Sequence, residues 1–514
     1  MSPFLACLLL ALPALPFAAG LTARLCRPAT AGRLTAGAAA AAAVLALLAA
    51  GALAVLGPQT VRWAPFGPDA AFAGALRLDV LSAIMVVLVT FLGARILDYA
   101  RPCLAGDPHQ SRFFSWMSLT LASVVLLVLA GQLLLLLAAW MATSLCLHRL
   151  LLHFPGRSGA VFAARKKFVI SRLGDACLLG AALVLHAHHG TYDLAAILAD
   201  FTAGRTGGAA AAGLLLAGCA MLKSAQFPFH SWLPDTMETP TPVSAFMHAG
   251  IINAGGFLVI RLAPVFAAAP RASALLAVAG ALTAAFGAVV MLAQPSVKRA
   301  LAYSTIAQMG FMILQCGLGA YSLALLHIAA HSLYKAHAFL TAGSTIGAVP
   351  RAAVPLRAPA LTFGVLAGGL LVALGATLAH ALAPTLPPGT RVFGVVLAVA
   401  VAYGLARIRA AGAGPASVAR GVAVAAAVVG LSLALHGAAS RILPEVAASQ
   451  PPPALLAAVA AVFAGLFLFQ ALLWRANAHP AGHRLYVHAL NGFYLGTHFN
   501  RILGRLWPRH PVNP

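Results

Sequence analysis

Between Met221 and Gly256 the chain reads MLKSAQFPFHSWLPDTMETPTPVSAFMHAGIINAGG, interrupted by Pro228, Pro234, Pro240 and Pro242. Each proline removes a backbone donor and disfavours helix for the residue before it, so no continuous spanning helix fits here. Yet apolar runs flank the stretch on both sides, and it carries Lys223, His230, Asp235, Glu238 and His248. Broken backbone and ionisable groups at membrane depth are tolerated only where protein or water surrounds them. The combination points to an ion pathway.

The rest of the chain supplies the membrane. Of 514 residues, 61% are hydrophobic and 8% charged, and the mean hydropathy is +0.93. This excludes a soluble domain of such length and predicts an all-α polytopic membrane protein. Candidate spans fall at 3–21, 36–56, 78–97, 114–130, 132–152, 167–187, 208–226, 241–262, 272–293, 299–318, 321–346, 360–383, 391–408, 417–437 and 453–474. That makes about fifteen transmembrane helices of near-bilayer length. The first run has arginines after it and no basic residue before it, the reverse of a secretory signal, and reads as a transmembrane helix.

The net charge of +23 comes from 33 basic and only 10 acidic residues. No soluble basic face exists that nucleic acid could use. Loops after odd-numbered spans hold most of the positive charge, Arg165, Lys166 and Lys167 among it, which predicts an N-terminus outside and a C-terminus in the cytoplasm. The seven cysteines form no C-x-x-C pair, and no iron–sulfur or haem spacing occurs, so electron transfer by this chain is not expected.

Three of the five lysines, Lys223, Lys298 and Lys335, lie in or at the edge of apolar segments. A buried lysine can lose its proton whereas arginine effectively cannot, so these are candidate proton-handling groups; a structural ion pair is the other reading. Asp175 stands three residues after Arg172, so the two can satisfy each other, or Asp175 can serve a lysine on a facing helix. His248 and Asn253 lie on a small-residue helix, and proximity to Lys223 and Glu238 favours a relay role for the histidine. Lys298, at the start of a span, is placed to snorkel. His327, His331 and Lys335 recur at i, i+4 and i+8 with Ser332 beside them, a candidate proton wire. No carboxylate or cysteine falls at matching spacing, which argues against a metal site. The tail from His483 to Trp507 puts Leu495, Phe499, Ile502 and Leu506 on one side and Arg501 and Arg505 on another, as an amphipathic helix does.

KSAQFPFHSWLPDTMETPTPVSAFMHAG, VKRALAYSTIAQMGFM and HSLYKAHAFLTAGS resemble the antiporter-type proton-translocating membrane subunits. That family includes membrane-arm subunits of respiratory complex I, Mrp-type cation/proton antiporter subunits and the membrane subunit of the DAB inorganic-carbon accumulation complex. The resemblance implies two inverted five-helix repeats containing broken helices. It divides the chain into N-terminal transmembrane helices (1–75), an antiporter-like core (76–350), C-terminal scaffold helices (351–474) and a cytoplasmic tail (475–514). HAGIINAGGFL, AAWMATSLCLHRLLLHFPGR and LYVHALNGFY favour the DAB branch.

That branch implies an ion-translocating subunit of the cell inner membrane, not itself an enzyme and with no cofactor of its own. Its expected partner is a large soluble zinc-binding, carbonic-anhydrase-like (DabA-like) subunit at the cytoplasmic face. An ion gradient would then drive one-way conversion of carbon dioxide to bicarbonate. Within the family pattern Lys223 matches the central lysine, Lys298 and Lys335 the second-half pathway, and His248, His327 and His331 the connecting positions. Complex I-type members carry a glutamate after the tryptophan of span five; here Met141 follows Trp140, which leaves Asp175 as the partner expected for Lys223. A subunit of a complex I-like NADH-quinone oxidoreductase or related hydrogenase, or of an Mrp-type antiporter, is the other expectation.

Overall fold

The computed structural model describes residues 3–63, 74–345, 356–382, 388–412, 414–442, 451–476 and 480–506. Two helices, α1 (Pro3–Thr22) and α2 (Pro28–Leu56), precede a hairpin of β1 (Gln59–Trp63) and β2 (Gly74–Leu78). The chain continues through α3 (Val80–Cys103), α4 (Gln110–Leu129), α5 (Leu133–Leu151), α6 (Ser158–His189), the short α7 (Leu194–Thr202) and α8 (Ala209–Lys223). The proline-rich stretch breaks into α9 (Trp232–Asp235), α10 (Thr241–Ala249), α11 (Ala254–Arg261) and α12 (Ala263–Ala267). After it come α13 (Pro270–Ala293), α14 (Val297–Gly317), α15 (Tyr321–Leu340), α16 (Ala358–Leu382), α17 (Pro388–Ala410), α18 (Pro415–Ile442), α19 (Pro453–Ala476), α20 (Pro480–Leu490) and α21 (Leu495–Leu506).

Among the described residues, 12 helical spans are long and apolar enough to cross a membrane. The fifteen-residue α8 is apolar but short, and α14 and α15 are long enough but rich in polar side chains. Together these give the fifteen spans expected. Local chemistry sets their starts. Asp79 caps α3 by accepting from the Ser82 amide while the Ser82 hydroxyl accepts from the Asp79 amide. Gln132 and Asp193 cap α5 and α7 in the same one-sided way, each accepting from an amide three residues on.

The hairpin is an exception to the all-helical pattern. β1 and β2 pair antiparallel, Gln59 opposite Leu78 through Trp63 opposite Gly74. The Ala75 carbonyl accepts from the Gly131 amide at 2.7 Å, which ties the hairpin to the α4–α5 turn. Strands of five residues offer too few alternations to stand out beside twenty-residue apolar runs.

One buried apolar core runs from Leu5 to Phe339, whereas Val401, Leu405 and Val429 form a separate small cluster among the C-terminal helices. The faces of α1, α2, α16, α18 and α19 left exposed are apolar, as lipid-facing surface must be. Helices α13 and α14 approach backbone to backbone. A Cβ on Gly280, Gly287, Gly310 or Gly317 would collide with main-chain atoms of the opposing helix, so the pair uses glycine at all four crossings.

Two expectations need correction. Arg165, Lys166 and Lys167 do not lie in a loop: α6 starts at Ser158, and Lys166 and Lys167 are buried in the helix. The helix tolerates them because acceptors on other elements meet both side chains. The tail also turns a different face inward. Leu503 is buried and Phe499 half-buried, while Ile502 is exposed alongside Arg501 and Arg505. The tail folds back on the core, where Gln294 Nε2 donates to the Leu490 carbonyl at 3.1 Å and the Phe493 ring lies 6.0 Å from Phe286.

Candidate ion pathway

Lys223 ends α8 where the broken segment begins. It is buried, its Nζ makes no hydrogen bond, and it lies 4.7 Å from the centroid of the Trp140 ring on α5. An ammonium over an aromatic face gains a cation–π attraction but keeps its donors unsatisfied. Close by on α6, Arg172 Nη2 and Asp175 Oδ2 form an ion pair at 2.8 Å. Asp175 is thus taken first by Arg172, and its charge acts on Lys223 without direct contact. Lys167, one further turn and a half toward the start of α6, completes this group; its Nζ donates to the Ser144 carbonyl at 2.7 Å and to Ser144 Oγ at 2.9 Å.

A second group gathers on α10, α14 and α15. Lys335, fully buried, donates to the Leu301 carbonyl at 3.0 Å and to Ser304 Oγ at 2.8 Å, both on α14. His331 lies one turn before it on α15, with neither ring nitrogen hydrogen-bonded, and its ring centroid is 6.0 Å from that of His327. His327 Nδ1 is 3.0 Å from Gln315 Oε1. From α10, His248 brings Nδ1 to 3.0 Å from Thr305 Oγ1 and stacks on Phe339 at 4.4 Å. The i, i+4, i+8 stripe read from the sequence is therefore joined by His248 from a separate helix.

A polar seam runs between the groups. Ser224, directly after Lys223, donates to the Ile252 carbonyl at 2.8 Å, and Asn253 donates to Ser332 Oγ at 2.8 Å. Gly255 makes this approach possible, because a Cβ there would collide with Ser224 Oγ and the Ala220 carbonyl.

Two expected pathway residues lie apart from both groups. Glu238 is exposed and sits against Gly159 in the first turn of α6. A carboxylate there complements the positive end of the helix dipole rather than meeting Lys223. Lys298 is half-buried at the start of α14, near Cys103 at the end of α3, one turn below the Leu301 carbonyl that Lys335 uses. In contrast, Lys166, expected only as a loop charge, lies inside the fold. Its Nζ is 2.7 Å from Asp235 Oδ2, 3.2 Å from the Ser231 carbonyl and 2.7 Å from Asn500 Oδ1, so it clamps α6, the broken segment and the tail helix together. The signal for it was the unusual lysine pair in an arginine-rich chain.

Comparison with known proteins defines the class. A family model described as NADH:quinone oxidoreductase/Mrp antiporter, TM, matches residues 130–390, and one described as NADH-Ubiquinone oxidoreductase (complex I), chain 5 N-terminus, matches residues 63–114. The chain belongs to this antiporter-like family of membrane subunits. The Probable inorganic carbon transporter subunit DabB2 of Halothiobacillus neapolitanus is 37% identical over 447 residues, covering 84% of this chain and 81% of that protein. The Probable inorganic carbon transporter subunit DabB of Hydrogenovibrio crunogenus is 44% identical over 269 residues, and that match spans 52% of this chain and 52% of the relative's own length. A solved structure of the Mrp complex from Dietzia sp. DQ12-45-1b superposes with a TM-score of 0.60 at 26% identity, covering 99% of this chain and 56% of the other.

Proposed function

We propose that this chain translocates protons and thereby energises inorganic-carbon accumulation by a complex that includes a soluble, zinc-containing, carbonic-anhydrase-like partner. The observation that carries the carbon reading is the similarity to DabB2, which extends well beyond the core matched by the family model. The ion reading rests on Lys223, a buried lysine without a hydrogen-bond partner beside a fixed Arg172–Asp175 pair. A small displacement of that pair changes the field at Lys223 and so decides whether it holds its proton. The proton then crosses the seam at Ser224 and Asn253 and continues by His248, His331 and Lys335. Lys298 stands at the mouth of the second half. We assign the N-terminus to the outside and the C-terminus to the cytoplasm of the inner membrane, where the partner docks. The carbon chemistry belongs to that partner.

Growth of a Lys223→Ala strain tests this. Growth fails in ambient air and returns in elevated carbon dioxide; equal growth of mutant and wild type in air overturns the reading. A second reading, a subunit of a complex I-like oxidoreductase or an Mrp-type antiporter, is favoured by the two family-model matches. Gentle detergent purification with metal analysis separates the two. One large zinc-bearing partner supports the carbon reading, and iron–sulfur subunits support the redox one.

A further inference from the structure

Lys167 is a buried ionisable group that the relay above leaves unused, and its surroundings single it out. It is 3% exposed, and Ser144 binds it through both the carbonyl and the hydroxyl. Lys223 meets the same helix one turn earlier, at Trp140. Trp140 and Ser144 are i and i+4 on α5, so the two lysines lie along one stripe of that helix, and the charge of Lys223 acts on Lys167.

A charge count decides what they can do together. Arg172 keeps its proton, and Asp175 is paired with it at 2.8 Å, so these two cancel. The other ionisable neighbours are Cys146 and His148 on α5 and Cys219 on α8, which supply no ready countercharge. Two ammonium groups here would therefore repel within a buried site whose single carboxylate is already engaged.

We propose that Lys167 and Lys223 share one proton, so that Lys167 is a second station of the first half-pathway. This rests on the reading of the cluster as an ion path. In the shared step one N–H bond breaks at the donor ammonium and one forms on the free electron pair of the other amine. Net charge is unchanged and no co-reactant enters. Both seats suit both states. Ser144 Oγ accepts from an ammonium or donates to a neutral amine, and the Trp140 face attracts Lys223 when it is charged.

The test is proton flux through the intact complex in membrane vesicles, followed with a pH-sensitive dye and normalised to the inserted chain. Lys167→Arg keeps the charge and the donors but cannot release a proton; Lys167→His can exchange one. Flux in Lys167→Arg falls about 100-fold, in line with loss of a proton-transfer group. Lys167→His retains clearly more than Lys167→Arg. Combining Lys167→Arg with Lys223→Ala costs no more than Lys223→Ala alone, because groups acting as one unit are not additive. A merely structural lysine gives the opposite order, and Arg equal to or better than His overturns the proposal. If Lys167→Arg does not insert, Ser144→Ala serves instead: it removes the hydroxyl that can accept from an ammonium or donate to an amine while the Ser144 carbonyl still holds Lys167, lowers flux several-fold if the proposal holds, and overturns it if flux stays at the wild-type level. Wild-type flux in Lys223→Ala would remove the ion-path reading itself, and the shared proton with it.

Discussion

The two buried lysine groups of the proposed pathway are held differently. Around Lys223 the protein places fixed charges of both signs: Arg172 and Asp175 pair at 2.8 Å, and two lysines stand beside them, one of them without a hydrogen bond. Around Lys335 there is no carboxylate among the described residues facing the group. Its charge is met by the Leu301 carbonyl, the Ser304 hydroxyl and, at 5.6 Å, the Tyr334 ring, and the histidines 248, 327 and 331 gather with it. The first group sets an ion pair beside a lysine that has no hydrogen bond. The second sets histidines beside a lysine held by a carbonyl and a hydroxyl. On the proposed path a proton would meet the charged group before the histidine stripe.

The sharpest way to break this contrast is Lys335→Met. Proton flux falls about 100-fold, as for Lys223→Ala, if the halves act in series; vesicle flux that survives in one variant and not the other makes them independent. Asp175→Asn comes next. It leaves Arg172 without its ion-pair partner and removes the charge that acts on Lys223, and flux falls about tenfold, equivalent to about 1.4 kcal/mol of lost electrostatic interaction. Ser304→Ala removes one of the two acceptors of Lys335 and lowers flux about fivefold, consistent with one ordinary hydrogen bond of about 1 kcal/mol. The smallest effect is Glu238→Gln. This carboxylate is exposed at the start of α6, so flux changes by less than about twofold, the scale of a surface charge.

A control lies outside both halves, in the cap of α3. Burial acts to raise the Asp79 carboxyl, but the charge of Arg261, the Ser82 amide and the charge of Arg77 outweigh it and hold the group at about 2. The unfolded chain binds this proton more tightly than the folded one, so the native state gains stability as pH rises. The contribution, about 2 kcal/mol, is fully present above the usual carboxylate range and is lost as pH falls toward 2. Asp79→Asn removes it at neutral pH. Thermal unfolding in detergent is lowered while flux per folded molecule is kept, and a loss of flux instead would tie the cap to the pathway.

Much of the second half was legible in the sequence because it is local. The stripe of His327, His331 and Lys335 follows from helical spacing alone, and the α15 helix that bears it formed as expected. The contribution of His248 was less visible, since it depends on α10 packing against α15. In the first half, Arg172 and Asp175 are local, and their pairing was one of the two readings the spacing allowed. The place of Lys167 was not visible at all. Its acceptor is Ser144, on another helix, and no periodicity links the two.

The sequence by itself determined a membrane protein of about fifteen spans, the breaks at the proline-rich segment and the lysines and histidines that could handle protons. Hydropathy, proline chemistry and helical periodicity are properties of neighbouring residues, so they survive without a fold. Tertiary structure decided which charges enter the protein. A run such as Arg165-Lys166-Lys167 reads as a loop because burying it alone is prohibitive, and it becomes helix only when Ser144, Asp235 and Asn500 arrive from elsewhere in the chain to satisfy it. Glu238, by contrast, stays exposed at the start of α6, where the positive end of the helix dipole favours a carboxylate.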